Sequence, residues 1–158
     1  MFDFLNEYKK GNFEFDRTNS LRKVCNAPTE CCGVYIVYAC YENGKEEIVY
    51  IGSSGHMIEG KVLPRIGGLY RRIVGKQDGV PRGKLWPERM QNLSAAKIKV
   101  YWYDTGKKDN PLFVEYCLIL KFIIEYKRLP LWNNELKISM ELKEGLNKFM
   151  MDKCVRFD

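Results

Sequence analysis

Between residues 33 and 51 the chain runs through β-branched and aromatic side chains, GVYIVYACY and EEIVYI, with Asn43-Gly44 between the two runs. Val, Ile and Tyr favour the pleated, half-buried surface of a strand, and Asn-Gly suits the tight turn of a hairpin. The pattern predicts two antiparallel strands. With Asn43-Gly44 as a two-residue turn, Glu42 faces Lys45, Val37 faces Tyr50 and Tyr35 faces Gly52. Opposed residues share a face, so Tyr35 and Tyr50 stand diagonally adjacent with Val37, Ala39 and Ile48, while Val34, Ile36, Val49 and Ile51 line the other side. A slip of one residue would part the tyrosines.

Downstream the periodicity changes. Residues 62–74 (VLPRIGGLYRRIV) carry apolar positions at roughly helical spacing across Gly67-Gly68 and predict a helix from near Pro64. A Gly- and Pro-rich loop follows, then a short helix over 87–95 and a third strand over 97–103 (KIKVYWY). Asp109-Asn110-Pro111 join a capping side chain to proline at a first helical position, predicting a helix that runs to about Arg128 and stops before Pro130. Residues 135–151 predict a last amphipathic helix, and residues 1–27 read as an arm with a short helix near 2–10. The expected fold is α+β: one domain over 1–158 with a small, mostly antiparallel three-stranded sheet, the hairpin plus one strand, flanked by helices.

Composition narrows the class. The 158 residues, 46% hydrophobic and 29% charged, suit one folded domain and exclude disordered and fibrous chains. The most apolar stretch, 112–124, contains Glu115 and Lys121, so no membrane span is expected. Asp3 and Glu7 near the start do not fit a secretory signal, and a cytoplasmic location follows. The six cysteines are then expected to be reduced. Cys25, Cys31 and Cys32 lack a C-x-x-C knuckle and the chain has one histidine, His56, so small buried hydrophobes describe them better than zinc ligands.

Charge is concentrated. Residues 61–99 hold ten basic side chains against Asp78 and Glu88, an excess of eight where the whole chain has +6. Such a segment attracts a phosphate backbone by counterion release, although a solvated face balanced by acids elsewhere would read the same. Arg71, Arg72, Lys76, Arg82, Lys84 and Arg89 are its candidate nucleic-acid contacts.

Gly33-Val34-Tyr35 on the first strand and Tyr50-Ile51-Gly52 on the second resemble the GIY-YIG nuclease family, named for these two tripeptides; Val34 replaces an isoleucine. The order continues with Arg65 in LPRIGGLYRRI, Glu115 in NPLFVEYCLIL and Asn133 in Pro130-Leu131-Trp132-Asn133, so the resemblance spans about 32–134. Arg65 lies 13 positions past Gly52, longer than the family usually shows, so SSGHMIEGKVLP reads as an insertion and Arg71 or Arg72 is an alternative equivalent. Many members carry His or Tyr one turn after the arginine; Leu69 has that spacing and Tyr70 stands one further.

Phosphodiester hydrolysis needs an activated water, neutralised phosphoryl charge and help for the leaving oxygen. Tyr35 is the candidate proton acceptor, directly or through a neighbour, if cations bring its phenol down from near 10, with Tyr50 orienting water or phosphate. Arg65 would grip the scissile phosphate, and Lys61 would lower a tyrosine pKa or touch the backbone. Glu115 shares a helical stripe with Leu118, Ile119 and Phe122, and a carboxylate there calls for a partner such as Mg²⁺ or Mn²⁺, held as a single ion. Asn133 would orient backbone or phosphate. The resemblance implies a compact metal-dependent DNA endonuclease of restriction type, for which a palindromic site would favour a homodimer. A repair or recombination nuclease reading DNA shape and a non-catalytic binding module are the rival readings, and RNA is not excluded as substrate.

Overall fold

The computed structural model describes residues 2–106, 108–134, 136, 145 and 147–151. A short 3₁₀ helix, Asp3–Glu7, leads into β1 (Lys9–Phe15) and a one-turn helix, α1 (Leu21–Val24). The long strands β2 (Gly33–Cys40) and β3 (Glu46–Ser54) follow, then a small hairpin of β4 (His56–Ile58) and β5 (Lys61–Leu63) and the helix α2 (Gly68–Val74). A second small hairpin, β6 (Lys76–Gln77) with β7 (Val80–Pro81), precedes α3 (Arg82–Leu93), β8 (Lys97–Asp104) and α4 (Pro111–Tyr126). The fold is α+β, and its main sheet is antiparallel throughout in the order β1-β8-β2-β3.

That sheet has four strands rather than three. The extra one, β1, comes from the segment read as an arm, and it pairs with β8 from Lys9 opposite Asp104 to Phe15 opposite Ile98. Its sequence, KKGNFEF, is short of β-branched residues and begins with two lysines, as suits an edge strand. Phe13 and Phe15 nonetheless bury inward, and that burial secures it.

The hairpin register holds where the tyrosines stand: Val37 faces Tyr50 and Tyr35 faces Gly52. Two irregularities cancel to produce it. At the turn, Tyr41 N–H donates to the Lys45 carbonyl at 2.9 Å and Gly44 N–H to the Tyr41 carbonyl at 3.0 Å, so the loop has three residues rather than two. A bulge then inserts Val49, between the pairs Val37/Tyr50 and Tyr38/Ile48, and restores the expected pairing. The bulge also exchanges two side chains, so Ile48 packs with Val34, Ile36 and Ile51, and Val49 packs with the tyrosines.

Two apolar layers flank the sheet. On one side Tyr35, Val37, Tyr50, Ile98 and Val100 meet Leu69 and Ile73 of α2 and Trp86 and Met90 of α3. On the other, Val34, Ile36, Ile48 and Ile51 meet Val114, Leu118, Ile119 and Phe122 of α4. Helix α4 begins as the capping pattern requires: Leu112 N–H donates to the Asn110 side-chain oxygen at 3.0 Å, with Pro111 in the first helical position. Helix α2 starts later than Pro64, because Gly67 and Gly68 both take positive φ, +80° and +52°, a conformation outside the right-handed helix. Helix α3 starts earlier than Pro87, whose missing N–H frees only the Gly83 carbonyl of the first turn. The helix expected over 135–151 lies largely outside the described residues.

The cysteine expectation needs one change: Cys25, Cys31, Cys32 and Cys40 are buried thiols, but Cys117 is disulfide-bonded. Among the described residues no helix is long and apolar enough to cross a membrane.

Strand β3 is an edge of the sheet, and the chain after α4 closes it. Trp132 N–H donates to the Val49 carbonyl at 2.7 Å. The Asn133 amide makes a two-bond clasp with Ile51, accepting from its N–H at 3.0 Å and donating to its carbonyl at 2.9 Å. Replacing the amide leaves a partly buried backbone pair unpartnered, so Asn133→Ala is expected to cost about 1–3 kcal/mol in denaturant unfolding. Asn133→Asp, which keeps the acceptor but sets an oxygen against the Ile51 carbonyl, is expected to cost at least as much.

Candidate active site

Alternation along β3 aims Tyr50 and Gly52 at the layer of α2 and α3, and Ser53 at the layer of α4. Because β3 is an edge strand, side chains from both layers meet around its border. They enclose a cleft of about 330 Å³ lined by Tyr50, Arg72, Lys76, Gln77, Asp78, Arg82, Glu115 and the 132–134 segment.

Tyr35 lies beneath Tyr50, their ring centres 5.8 Å apart. Gly52 makes room for the pair, since a Cβ there would come within 2.9 Å of both rings. Tyr35 is fully buried and its hydroxyl has no hydrogen-bond partner among the described residues; Arg72 approaches it without forming a well-aligned bond. The expectation that cations favour its phenolate is not met. Burial pushes the phenol well above its ordinary range, Tyr50 adds to the shift, and the opposing influence of Arg82 and Arg72 is smaller. Tyr35 is therefore a neutral hydroxyl under the cleft floor.

Arg82, read from sequence as a surface contact, is instead buried, with 1% of its surface exposed. One terminal nitrogen donates to the Arg72 carbonyl at 2.6 Å and the Lys76 carbonyl at 2.9 Å, while Nε has no partner. The guanidinium lies 5.8 Å from the Tyr50 ring centre and 5.9 Å from that of Trp86. Carbonyls and aromatic faces hold it, and among the described residues no carboxylate forms an ion pair with it.

Of the three arginines left open by the sequence, Arg72 lines the cleft. Its guanidinium is held above its usual range: burial opposes this, and the proximity of Tyr35, Tyr50 and Glu115 outweighs it. Glu115 reaches the cleft from the first turns of α4, accepting a short hydrogen bond from the Ser53 hydroxyl. Burial pushes its carboxyl up to about 7 against the lowering effects of Ser53 and Arg72.

The remaining candidates scatter. Arg65 is exposed ahead of α2, its Nε donating to the Gly55 carbonyl at 3.4 Å, and Arg71 is exposed on α2 away from the cleft. Tyr70 points toward α1, its hydroxyl donating to the Arg22 carbonyl at 3.2 Å. Lys61 sits on β5, in the segment read as an insertion, and Lys84 is exposed on α3. Gly33 opens β2 between Ser54 and Asp104. The basic segment is not one face, since Lys97 pairs with Glu14 at 2.7 Å, Lys99 with Glu46, and Arg89 with Asp78 at 3.4 Å.

Sequence reasoning missed Ser53 and Gln77. Alternation from Ile51 places Ser53 on the face of α4, so the Glu115 contact had a readable signal. Gln77 had none: its side chain donates to the Trp132 carbonyl at 3.1 Å and accepts from the Trp86 indole at 3.4 Å, tying the cleft wall together. No family model, curated protein or solved structure matches this chain.

The raised Glu115 carboxyl has a consequence for stability. From about pH 4.5 to about 7 the folded carboxyl keeps a proton that the unfolded chain has lost, so raising pH through this window penalises the folded state. Relative to Glu115→Gln, the wild type is expected to lose stability across that window and to run parallel to it below and above, as read by denaturant unfolding from pH 4 to 8.

Proposed function

We propose that the chain is a metal-dependent nuclease of the GIY-YIG kind, hydrolysing phosphodiester bonds in DNA. The observation that carries the reading is a convergence from five stretches of chain: Tyr50 over Tyr35, Arg72, Arg82 and Glu115 around one cleft. An anionic substrate answers two guanidiniums; of the two carboxylates that line the cleft, Asp78 is engaged by Arg89 and Asn134, and Glu115, set among the arginines, has little use in binding an anion unless it recruits a cation.

Arg72 grips the phosphate under attack through paired N–H donors, contacts that strengthen as charge builds on the phosphoryl oxygens. Arg82, tied to carbonyls, adds a fixed field beneath Tyr50 instead of touching substrate. Tyr50 orients the attacking water, or takes its proton, at the cleft surface. Tyr35 supports Tyr50 from below as a neutral group, which replaces the role of base that its sequence position suggests.

Among the described residues no three His, Cys, Asp or Glu side chains converge. A single carboxylate does suit Mg²⁺ or Mn²⁺, which keep several waters and take further oxygens from phosphate. Burial that holds the Glu115 carboxyl up at about 7 leaves an ionised form that gains from a cation, so the donor fits the ion. Such an ion supplies Lewis-acid chemistry to the reacting oxygens.

Nicking of supercoiled plasmid with Mg²⁺ or Mn²⁺, abolished by EDTA, tests the reading. Arg72→Ala and Glu115→Ala are each expected to slow cutting by about 10²-fold or more, as loss of a charge-stabilising contact does. Tyr70→Phe, on the α1 side, is expected to cut normally. DNA binding without cutting, on linear and branched substrates alike, overturns the proposal, as does undiminished cutting by Arg72→Ala.

A further inference from the structure

A second hollow, of about 440 Å³, lies on the other side of Arg72 and is lined by Ser54, His56, Arg65, Ile66, Arg71 and Arg72, with Gly68 at its base. No acidic residue lines it, and among the described residues none of its three arginines forms an ion pair. This distinguishes it from the cleft, where Asp78 and Glu115 are among the lining residues. Ser54 is engaged elsewhere, its hydroxyl donating to the Gly68 carbonyl at 3.0 Å. Arg65 uses its Nε on the Gly55 carbonyl, so the bond fixes the side chain while its terminal nitrogens take no part in it. The stem of Arg71 folds back over Gly67, where a Cβ would come within 2.5 Å of it.

His56, the chain's one histidine, also lines it; its Nδ1 is buried away from the open space, without a hydrogen-bond partner among the described residues. Three guanidiniums gathered around one open space with no carboxylate lining it mark a place for a group that is not part of the chain. The chemistry that fits is an oxyanion able to accept several charge-assisted bonds at once.

We propose that this hollow is a second phosphate subsite, which holds the strand-internal phosphate next to the one under attack, with Arg72 standing between the two. The inference rests on the nucleic-acid reading of the cleft. It accounts for paired arginines at 71 and 72: residues adjacent on a helix point about 100° apart, so one turns into the hollow alone while the other borders both spaces. Ile66 on the rim is 85% exposed, an apolar surface that a sugar or base covers and a free ion does not.

With a single histidine, the imidazole C–H resonances in proton NMR report this hollow alone. The full chain, without divalent metal, is titrated with a trinucleotide carrying two internal phosphodiesters and no terminal phosphate, with a dinucleotide carrying one, with a nucleoside 5′-monophosphate and with inorganic phosphate. The trinucleotide is expected to shift the His56 resonances saturably and to bind roughly tenfold tighter than the dinucleotide, because it engages both spaces. Arg65→Gln with Arg71→Gln, and each of these two arginines replaced singly, is expected to weaken that response, by about tenfold in the double variant, while Tyr70→Phe, on the α1 side, keeps it. A response confined to the monophosphate or inorganic phosphate, no response, or one unchanged in the arginine variants overturns the subsite. The readout is binding in the absence of metal, so a chain that responds here yet never cuts DNA separates failure of the nuclease reading from failure of this one.

Discussion

A strand at the margin of a sheet leaves alternate N–H and C=O groups facing outward, and on β3 those groups find their partners in the segment just after α4, through Trp132 and the Asn133 amide. The same contacts draw together both sides of the sheet. Helices α2 and α3 pack on one face and α4 on the other, so only at this border can a side chain from α4 stand beside side chains from α2 and β3. Glu115 meets Arg72 there and nowhere else in the fold could it do so. Sealing the edge with an amide clasp, in place of a further strand, is what leaves room for a cleft.

The electrostatics of the cleft follow from that crowding. Three polar groups, the Tyr35 hydroxyl, the Arg82 guanidinium and the Glu115 carboxyl, are withdrawn from water within one small region, and each is incompletely satisfied. Desolvation disfavours the charged form of the two acids, raising both, while the cation cannot discharge and settles on carbonyls and ring faces. An apolar core would be more stable. Guanidiniums crowded beside a carboxyl that burial raises to about 7 are the kind of perturbed cluster that marks a candidate site.

What could be read from the chain alone divides by range. The hairpin, β8 and the capped start of α4 rest on local signals, namely β-branched alternation and the Asn110-Pro111 pair, and they appear where expected. The tyrosine register was right through compensating departures, a longer turn and the Val49 bulge, neither of which has a distinct local signature. Strand β1 escaped notice because KKGNFEF becomes a strand by pairing with β8, some 90 residues away, a long-range gain that no local preference announces. Glu115 stood out as a carboxylate in an apolar stripe. Arg82 did not, because nothing in the Gly- and Pro-rich stretch around it distinguishes a buried arginine from a solvated one.

The arginine question shows how topology decides between neighbours that sequence leaves equivalent. The order of the motif residues pointed to Arg65 while its spacing left Arg71 and Arg72 open; residues 56–63 fold into their own hairpin and the two left-handed glycines postpone the helix to Gly68. Arg65 then falls before the helix, and the helix itself sorts Arg71 from Arg72 by their angular separation. This segment thus does more than lengthen a loop. By bringing His56 and Arg65 against the helix face next to Arg72, it builds a second positively charged hollow beside the first. Two adjoining cationic spaces that share one arginine are the arrangement that the proposed pair of neighbouring phosphates would require, and they tie Arg65, Arg71, Arg72, Lys76 and Arg82 of the basic segment to one part of the fold.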